Sequence, residues 1–190
     1  MKKKYNIVFF ANSEKSFITI KSVIKSNTYK KIYIFTQKED EWEPKYINKL
    51  KLLCSKKIKL FTLINFSFLE FEKKINKERI DFIIAVGWRK ILEDKIVKYS
   101  LIKSLVMHDS LLPKNRGFAP LNWAIIKGEK KTGVSLISMD KLVDSGDIYL
   151  QDSINIKNSY DIKLVHEKIL RIYSLLILKF IKKPHFYLNN

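Results

Sequence analysis

Apolar residues fall in short bounded runs through the first half of the chain and in one long helical stripe near its end. Tyr5 to Ala11, Lys31 to Thr36, Ile58 to Leu63, Asp81 to Gly87 and Ser104 to Met107 are brief runs rich in β-branched and aromatic residues, which read as buried strands. Between them the spacing predicts helices. The first is capped by Asn12 or Ser13, with Ile18, Ile20, Val23 and Ile24 facing inward. Further helices are expected over Tyr46 to Cys54, Phe66 to Lys77 and Leu92 to Tyr99, with Gln37 to Pro44 a charged loop. Strand and helix alternate, so the first half calls for an α/β fold, a mostly parallel sheet with helices on both faces. The second half changes character. Pro120 to Lys127 predicts a helix, and Gly133 to Met139 and Asp147 to Ile154 two strands around a turn at Asp144-Ser145-Gly146. Ser159 to Ile181 predicts a long final helix, with Ile162, Val165, Ile169, Ile172 and Leu176 on one face. Asn158 or Ser159 is its expected cap, and Pro184 bars any continuation. No repeat or linker interrupts the pattern, so residues 1–190 read as a single domain ending in a long C-terminal helix.

Composition narrows the classes. Hydrophobic residues make up 46% of the chain and aromatics 13%, too many for a disordered protein. A single cysteine, Cys54, excludes an internal disulfide and a cysteine-based zinc site. Tyr5 to Ala11 is too short for a secretory signal, and Ile172 to Leu178 is too short to span a bilayer. A cytoplasmic protein with no membrane partner is expected. The net charge of +18 invites a nucleic-acid reading. Arginine, better suited to bidentate phosphate and base contacts, occurs only at 79, 89, 116 and 171, and the lysines are scattered. A solvated basic surface is therefore the expectation, with no nucleic-acid partner and room for weak attraction to a polyanion.

Candidate chemistry gathers in one region. The five glycines, at 87, 117, 128, 133 and 146, all lie there, where they mark either a backbone shaped for a ligand or a cluster of ordinary turns. In parallel sheets ligands bind at the carboxyl ends of strands, and both Gly87-Trp88 and His108-Asp109 follow strand ends. Of three histidines, His166 lies in the last helix and His185 in the tail, leaving His108 as the candidate base or charge stabiliser. Taken alone, His108 reads more readily as a packed or surface histidine. Asp144 and Asp147 are open to plain turn chemistry, and Trp88 and Trp123 to core filling.

The order of short motifs separates these readings. His108-x-Ser110-Leu111-Leu112-Pro113, then Arg116-Gly117-x-Ala119-Pro120-Leu121-Asn122-Trp123-Ala124, then Gly128-Glu129, Thr132-Gly133-Val134 and Asp144-x-Gly146-Asp147-Ile148 stand in register. Together they resemble the formyltetrahydrofolate-dependent formyltransferases, strongly over about residues 105 to 152 and loosely back to residue 5. Pro113 to Trp123 is most similar to the branch acting on nucleotide-linked sugars. The resemblance implies a Rossmann-like formyltransferase fold and N10-formyltetrahydrofolate as donor, with no metal. It puts the catalytic histidine on His108 and the catalytic aspartate on Asp144. It puts the folate-binding segment on Ser110, Leu111, Leu112 and Pro113, and the pterin cradle on Val86, Gly87, Trp88 and Leu92. Asn115 and Arg116, with Lys114, are candidate contacts to the acceptor's phosphates or hydroxyls, or simply a solvated loop.

One position departs from the family pattern. Asparagine usually stands two residues before the histidine as an oxyanion donor, and here that residue is Val106. Three alternatives follow: another donor substitutes, such as protonated His108 or a backbone N–H; the protein is slow; or it is a non-catalytic basic nucleic-acid or scaffold protein on the same fold. Among acceptors, methionyl-tRNA is disfavoured because the chain ends after one helix. Glycinamide ribonucleotide is disfavoured because Ala11 to Lys15 lacks that branch's glycine-rich loop. The expectation is therefore an N-formyltransferase acting on an amino sugar in surface glycan synthesis. A phosphoribosylglycinamide-type enzyme is the alternative. A homodimer through the last helix is a candidate assembly.

Overall fold

The computed structural model describes residues 3–38, 41, 44–63, 67–157 and 159–189. Phe66, Asn158 and part of the expected loop over 37–44 lie outside the described residues. Backbone contacts divide the chain into two compact units, residues 1–105 and 106–190.

The first unit contains strands β1 (Tyr5–Ala11), β2 (Tyr29–Gln37), β3 (Ile58–Leu63) and β4 (Phe82–Val86). All three pairings are parallel, in the order β3-β2-β1-β4, with Ile34 beside Leu60 and Phe9 between Ile34 and Ile84. Every residue of β4 is buried, as are Ile7 to Ala11 of β1. Such a continuous apolar run belongs to a strand covered on both faces.

Helix α1 (Glu14–Ser26) begins at Ser13, not Asn12. Ser13 Oγ accepts from the Ser16 amide and Ser16 Oγ accepts from the Ser13 amide, a reciprocal cap on two otherwise orphaned donors. Its buried face is Ser16, Thr19, Ile20 and Val23, while Ile18 and Ile24 are only half-buried. Short polar residues take inward positions because Thr19 returns its hydroxyl to the Lys15 carbonyl at 2.7 Å and needs no outside partner.

Helix α2 (Ile47–Lys51) is shorter than the expected Tyr46 to Cys54. Only Leu50 of it is buried, so no second anchor sustains another turn. Helix α3 (Phe68–Ile75) starts at Ser67 and stops at Asn76, whose φ of 51° is left-handed. Helix α4 (Asp94–Val97) is a single turn within the expected Leu92 to Tyr99.

Strand β5 (Lys103–His108) runs one residue further than expected, so His108 is its last residue. The second unit continues with α5 (Pro120–Ile126), β6 (Lys131–Ser138), β7 (Ile148–Asn155), α6 (Ile162–Lys182) and α7 (Pro184–Leu188). Strands β6 and β7 are antiparallel, with Leu136 opposite Leu150. The α/β class is as the alternation required.

The cap of α6 is Asp161, not Ser159: its carboxylate accepts from the Leu164 amide at 2.8 Å. Helix α6 lies against β6 and β7. Val165, Ile169, Ile172 and Leu176 are buried as the spacing required, joined by Tyr173 and Phe180. Ile162 is the exception at 44% exposed, because it occupies the first turn before the helix meets the sheet. Pro184 ends α6 and opens α7, where its missing N–H costs nothing. Among the described residues no helix is long and apolar enough to cross a membrane.

Candidate active site

The second unit brings His108, Asp144 and Asn115 together across 36 positions of sequence. His108 closes β5 and is only 8% exposed. Its Nδ1 lies 3.4 Å from the Asp144 carboxylate, and its Nε2 lies 3.0 Å from the Asn115 carbonyl oxygen. Both ring nitrogens therefore face acceptors. A neutral imidazole has one N–H and satisfies one of them; the imidazolium satisfies both.

Asp144 sits in the turn between β6 and β7 with φ 51°, a left-handed backbone that short polar residues tolerate. Its Oδ2 also accepts from the Gly117 amide at 2.9 Å. The carboxylate is thus fixed by one ring and one backbone N–H. Asn115 is left-handed as well, at φ 52°. Its side chain donates to Glu129 at 3.0 Å and accepts from Lys127 at 3.0 Å. The group it offers His108 is its backbone carbonyl, while its side-chain amide is held by Lys127 and Glu129, just beyond α5. Arg116 is exposed.

The Ser110 to Pro113 segment leaves β5 in a compact loop. Ser110 Oγ donates to the Lys114 carbonyl at 2.7 Å, and the Lys114 amide donates to the Leu111 carbonyl at 3.1 Å. Leu112 is buried and Pro113 exposed. Ser135 of β6 and Gln151 of β7 also bond this loop. Neither was legible as a site residue, because a serine and a glutamine within strands carry no distinctive spacing. Gly133 lies under the loop. A Cβ there would meet the Leu111 Cδ2 atom at 2.7 Å and overlap the Asp152 carbonyl.

Tyr173 of α6 is fully buried. Its hydroxyl reaches the Met107 carbonyl and the Asp109 carboxylate, each at 3.2 Å. Burial first, and then the charge of Asp109, push its ionisation well above the usual tyrosine range, so it stays a neutral donor. Val106 is half-buried in β5 and offers no polar side-chain atom.

In the first unit, Val86 ends β4 fully buried and Leu92 is 9% exposed. Gly87 has φ +60°, and a Cβ on it would overlap Ser13 Oγ, the cap of α1. The ring of Trp88 packs on Phe10 at 5.3 Å between centroids. No group of side chains suited to hold a metal ion occurs among the described residues. Chemically, the second unit offers a buried imidazole–carboxylate pair beside a hydrogen-bonded loop. Such a pair can stabilise an oxyanion and move a proton.

A sequence profile described as formyl transferase matches residues 5–179. The chain is 35% identical over 165 residues to the bifunctional polymyxin resistance protein ArnA of Wigglesworthia glossinidia brevipalpis, covering 86% of this chain and 25% of that one. It is 32% identical over 175 residues to the methionyl-tRNA formyltransferase of Mycoplasma mycoides, covering 88% and 54%. The chain thus spans from a quarter to about half the length of these curated relatives. Among solved structures, phosphoribosylglycinamide formyltransferase from Bacillus halodurans superposes with a TM-score of 0.77 at 21% identity, covering 94% of this chain and 96% of that one. A sugar N-formyltransferase from a Shewanella strain gives 0.71 at 15% identity, covering 94% and 68%. These likenesses establish the fold. The profile runs through both compact units and across His108, the Ser110 to Pro113 loop and Asp144, and on that match the chain belongs to the formyl transferase family.

Proposed function

We propose that residues 1–190 act as one catalytic domain that moves a formyl group from N10-formyltetrahydrofolate to the amine of an amino sugar, carried on a nucleotide. Members of this family are folate-dependent formyl transferases, and the observation that carries the reading is the buried His108–Asp144 pair beside the Ser110 to Pro113 loop. The acceptor nitrogen attacks the formyl carbon, forming a C–N bond and a tetrahedral oxyanion. Collapse breaks the bond to N10, and the proton lost by the amine ends on N10. His108 handles the amine proton or the oxyanion, a role worth roughly 10²–10⁴ in rate, and Asp144 holds its ring in orientation.

Donor contacts are assigned to Val86, Gly87, Trp88 and Leu92 in the first unit and Ser110, Leu111, Leu112 and Pro113 in the second. Acceptor contacts are assigned to Asn115 and Arg116. Since the Asn115 amide already serves Glu129 and Lys127, Arg116 is the stronger candidate for an acceptor phosphate. The amino-sugar acceptor is supported by the Pro113 to Trp123 segment. The solved-structure likeness to a phosphoribosylglycinamide enzyme supports glycinamide ribonucleotide as the second reading.

The test is donor consumption with amino-sugar nucleotides, glycinamide ribonucleotide and methionyl-tRNA as acceptors. Formylation of an amino-sugar nucleotide, lost in His108→Ala and Asp144→Ala, is the expected result. Turnover of another acceptor alone overturns the sugar reading. No turnover with any acceptor, and no binding of a reduced folate, overturns the enzyme.

A further inference from the structure

Most polar backbone groups of the Ser110 to Lys114 loop are already spoken for, and the hub that binds them lies outside the motif. Ser135 is fully buried in β6. Its hydroxyl donates to the Ser110 carbonyl at 2.6 Å and accepts from the Leu112 amide at 3.2 Å and from Gln151 Nε2 at 2.8 Å. A hydroxyl has one donor and two acceptor sites, so this one is saturated. Gln151 of β7 then spends its second N–H on the Leu112 carbonyl at 2.9 Å. Two strands therefore grip the loop at three backbone atoms: Ser110 O, Leu112 N and Leu112 O. Gly133, beneath Leu111, lets the loop lie directly on β6. The remaining contacts, from Ser110 Oγ to Lys114 O and from Lys114 N to Leu111 O, close the loop on itself.

We infer that Ser135 and Gln151 are positioning residues for the formyl donor. They do not touch it; they hold Leu111, Leu112 and Pro113 in the one shape that meets it. This rests on the assignment of that loop to folate binding. The physical basis is pre-organisation: a loop ordered before binding does not charge its ordering entropy to the ligand. Without the clamp, Leu112 keeps a buried amide and carbonyl with no partner, and the loop rearranges toward water to satisfy them.

The test measures the Kd of 5-formyltetrahydrofolate by calorimetry, and the melting temperature, for wild type, Gln151→Leu, Ser135→Ala and Ser135→Thr. Gln151 is exposed in its strand, so Gln151→Leu folds even if the buried Ser135→Ala does not. Gln151→Leu is expected to weaken folate binding about tenfold or more with little change in melting temperature. Ser135→Ala is expected to weaken folate binding at least as much while also lowering the melting temperature, and Ser135→Thr, which keeps the hydroxyl, to recover most of both losses. A Gln151→Leu protein that binds folate as wild type does overturns the inference. So does a loss of affinity in that variant that merely tracks loss of melting temperature. Wild-type protein that binds no folate removes the donor assignment itself and the inference with it, and that control separates the two failures.

Discussion

At the scale of single residues, the site is a matter of where protons can sit. His108 has acceptors on both sides, Asp144 has two donors, and Tyr173 has one hydrogen for two acceptors. Two backbone donors beside the pair are committed, Gly117 N to Asp144 and Leu112 N to Ser135. Val106 offers no donor at the position where the family resemblance puts an oxyanion-binding asparagine. Val106→Asn is expected to raise kcat by roughly 10- to 100-fold, since one such donor is commonly worth 10²–10³. Steady-state kinetics decide it, and an unchanged kcat means another donor already serves. Tyr173 makes a pH prediction. Its folded ionisation is raised above the unfolded value of 10.0, so its contribution to stability is complete below pH 10 and fades as pH climbs past it. Tyr173→Phe removes that titration, and unfolding free energy should fall less steeply between pH 9 and about pH 11 than in wild type. The same change deprives the buried Asp109 of a donor and is expected to cost about 1–3 kcal/mol at neutral pH. Urea titrations across that range test both, and parallel slopes for the two proteins would refute the assignment.

At the scale of elements, helix and strand ends do the placing. Gly87 follows β4 and lies against the Ser13 cap of α1, so one glycine lets a strand end and a helix start share space. Gly87→Ala forces a left-handed alanine and displaces the cap. These costs, about 1 kcal/mol each, predict a loss of about 2 kcal/mol by urea unfolding. A change below about half a kcal/mol would show that the cap gives way freely. In the second unit, β6 and β7 carry the turn that aims Asp144, while Ser135 and Gln151 secure the Ser110 to Pro113 loop. One hairpin therefore serves both the His108–Asp144 pair and the loop beside it. A β-strand makes this economical, because adjacent strands hold cross-strand groups at fixed spacing.

At the scale of the whole molecule, charge and patterning act differently. The net charge of +18 comes from 37 basic against 19 acidic residues, and self-repulsion of that size opposes compactness. Raising salt from about 20 to 300 mM shortens the screening length severalfold and should raise the melting temperature by a few degrees. A flat or falling value would mean that the lysines are locally compensated. The strands were legible because a covered sheet needs runs of buried residues: β1 and β3 have the expected bounds, and β4 and β5 differ by a residue or two. Helix ends were less legible. A cap is a contest between neighbouring polar side chains for one amide, and Asp161 and Ser13 won it on geometry that composition does not record. His108 and Asp144 stood out through their motifs, and both belong to the pair that the structure assembles. By itself, then, the sequence determined the α/β alternation, the family and the two polar residues at its centre. Those depend on local periodicity and on short motifs. Only tertiary structure decided that Nε2 of His108 faces the Asn115 carbonyl, that Gly117 steadies Asp144, and that Ser135 and Gln151 grip the loop. Hydrogen bonds between residues far apart in sequence are set by three-dimensional direction, and a linear pattern contains none.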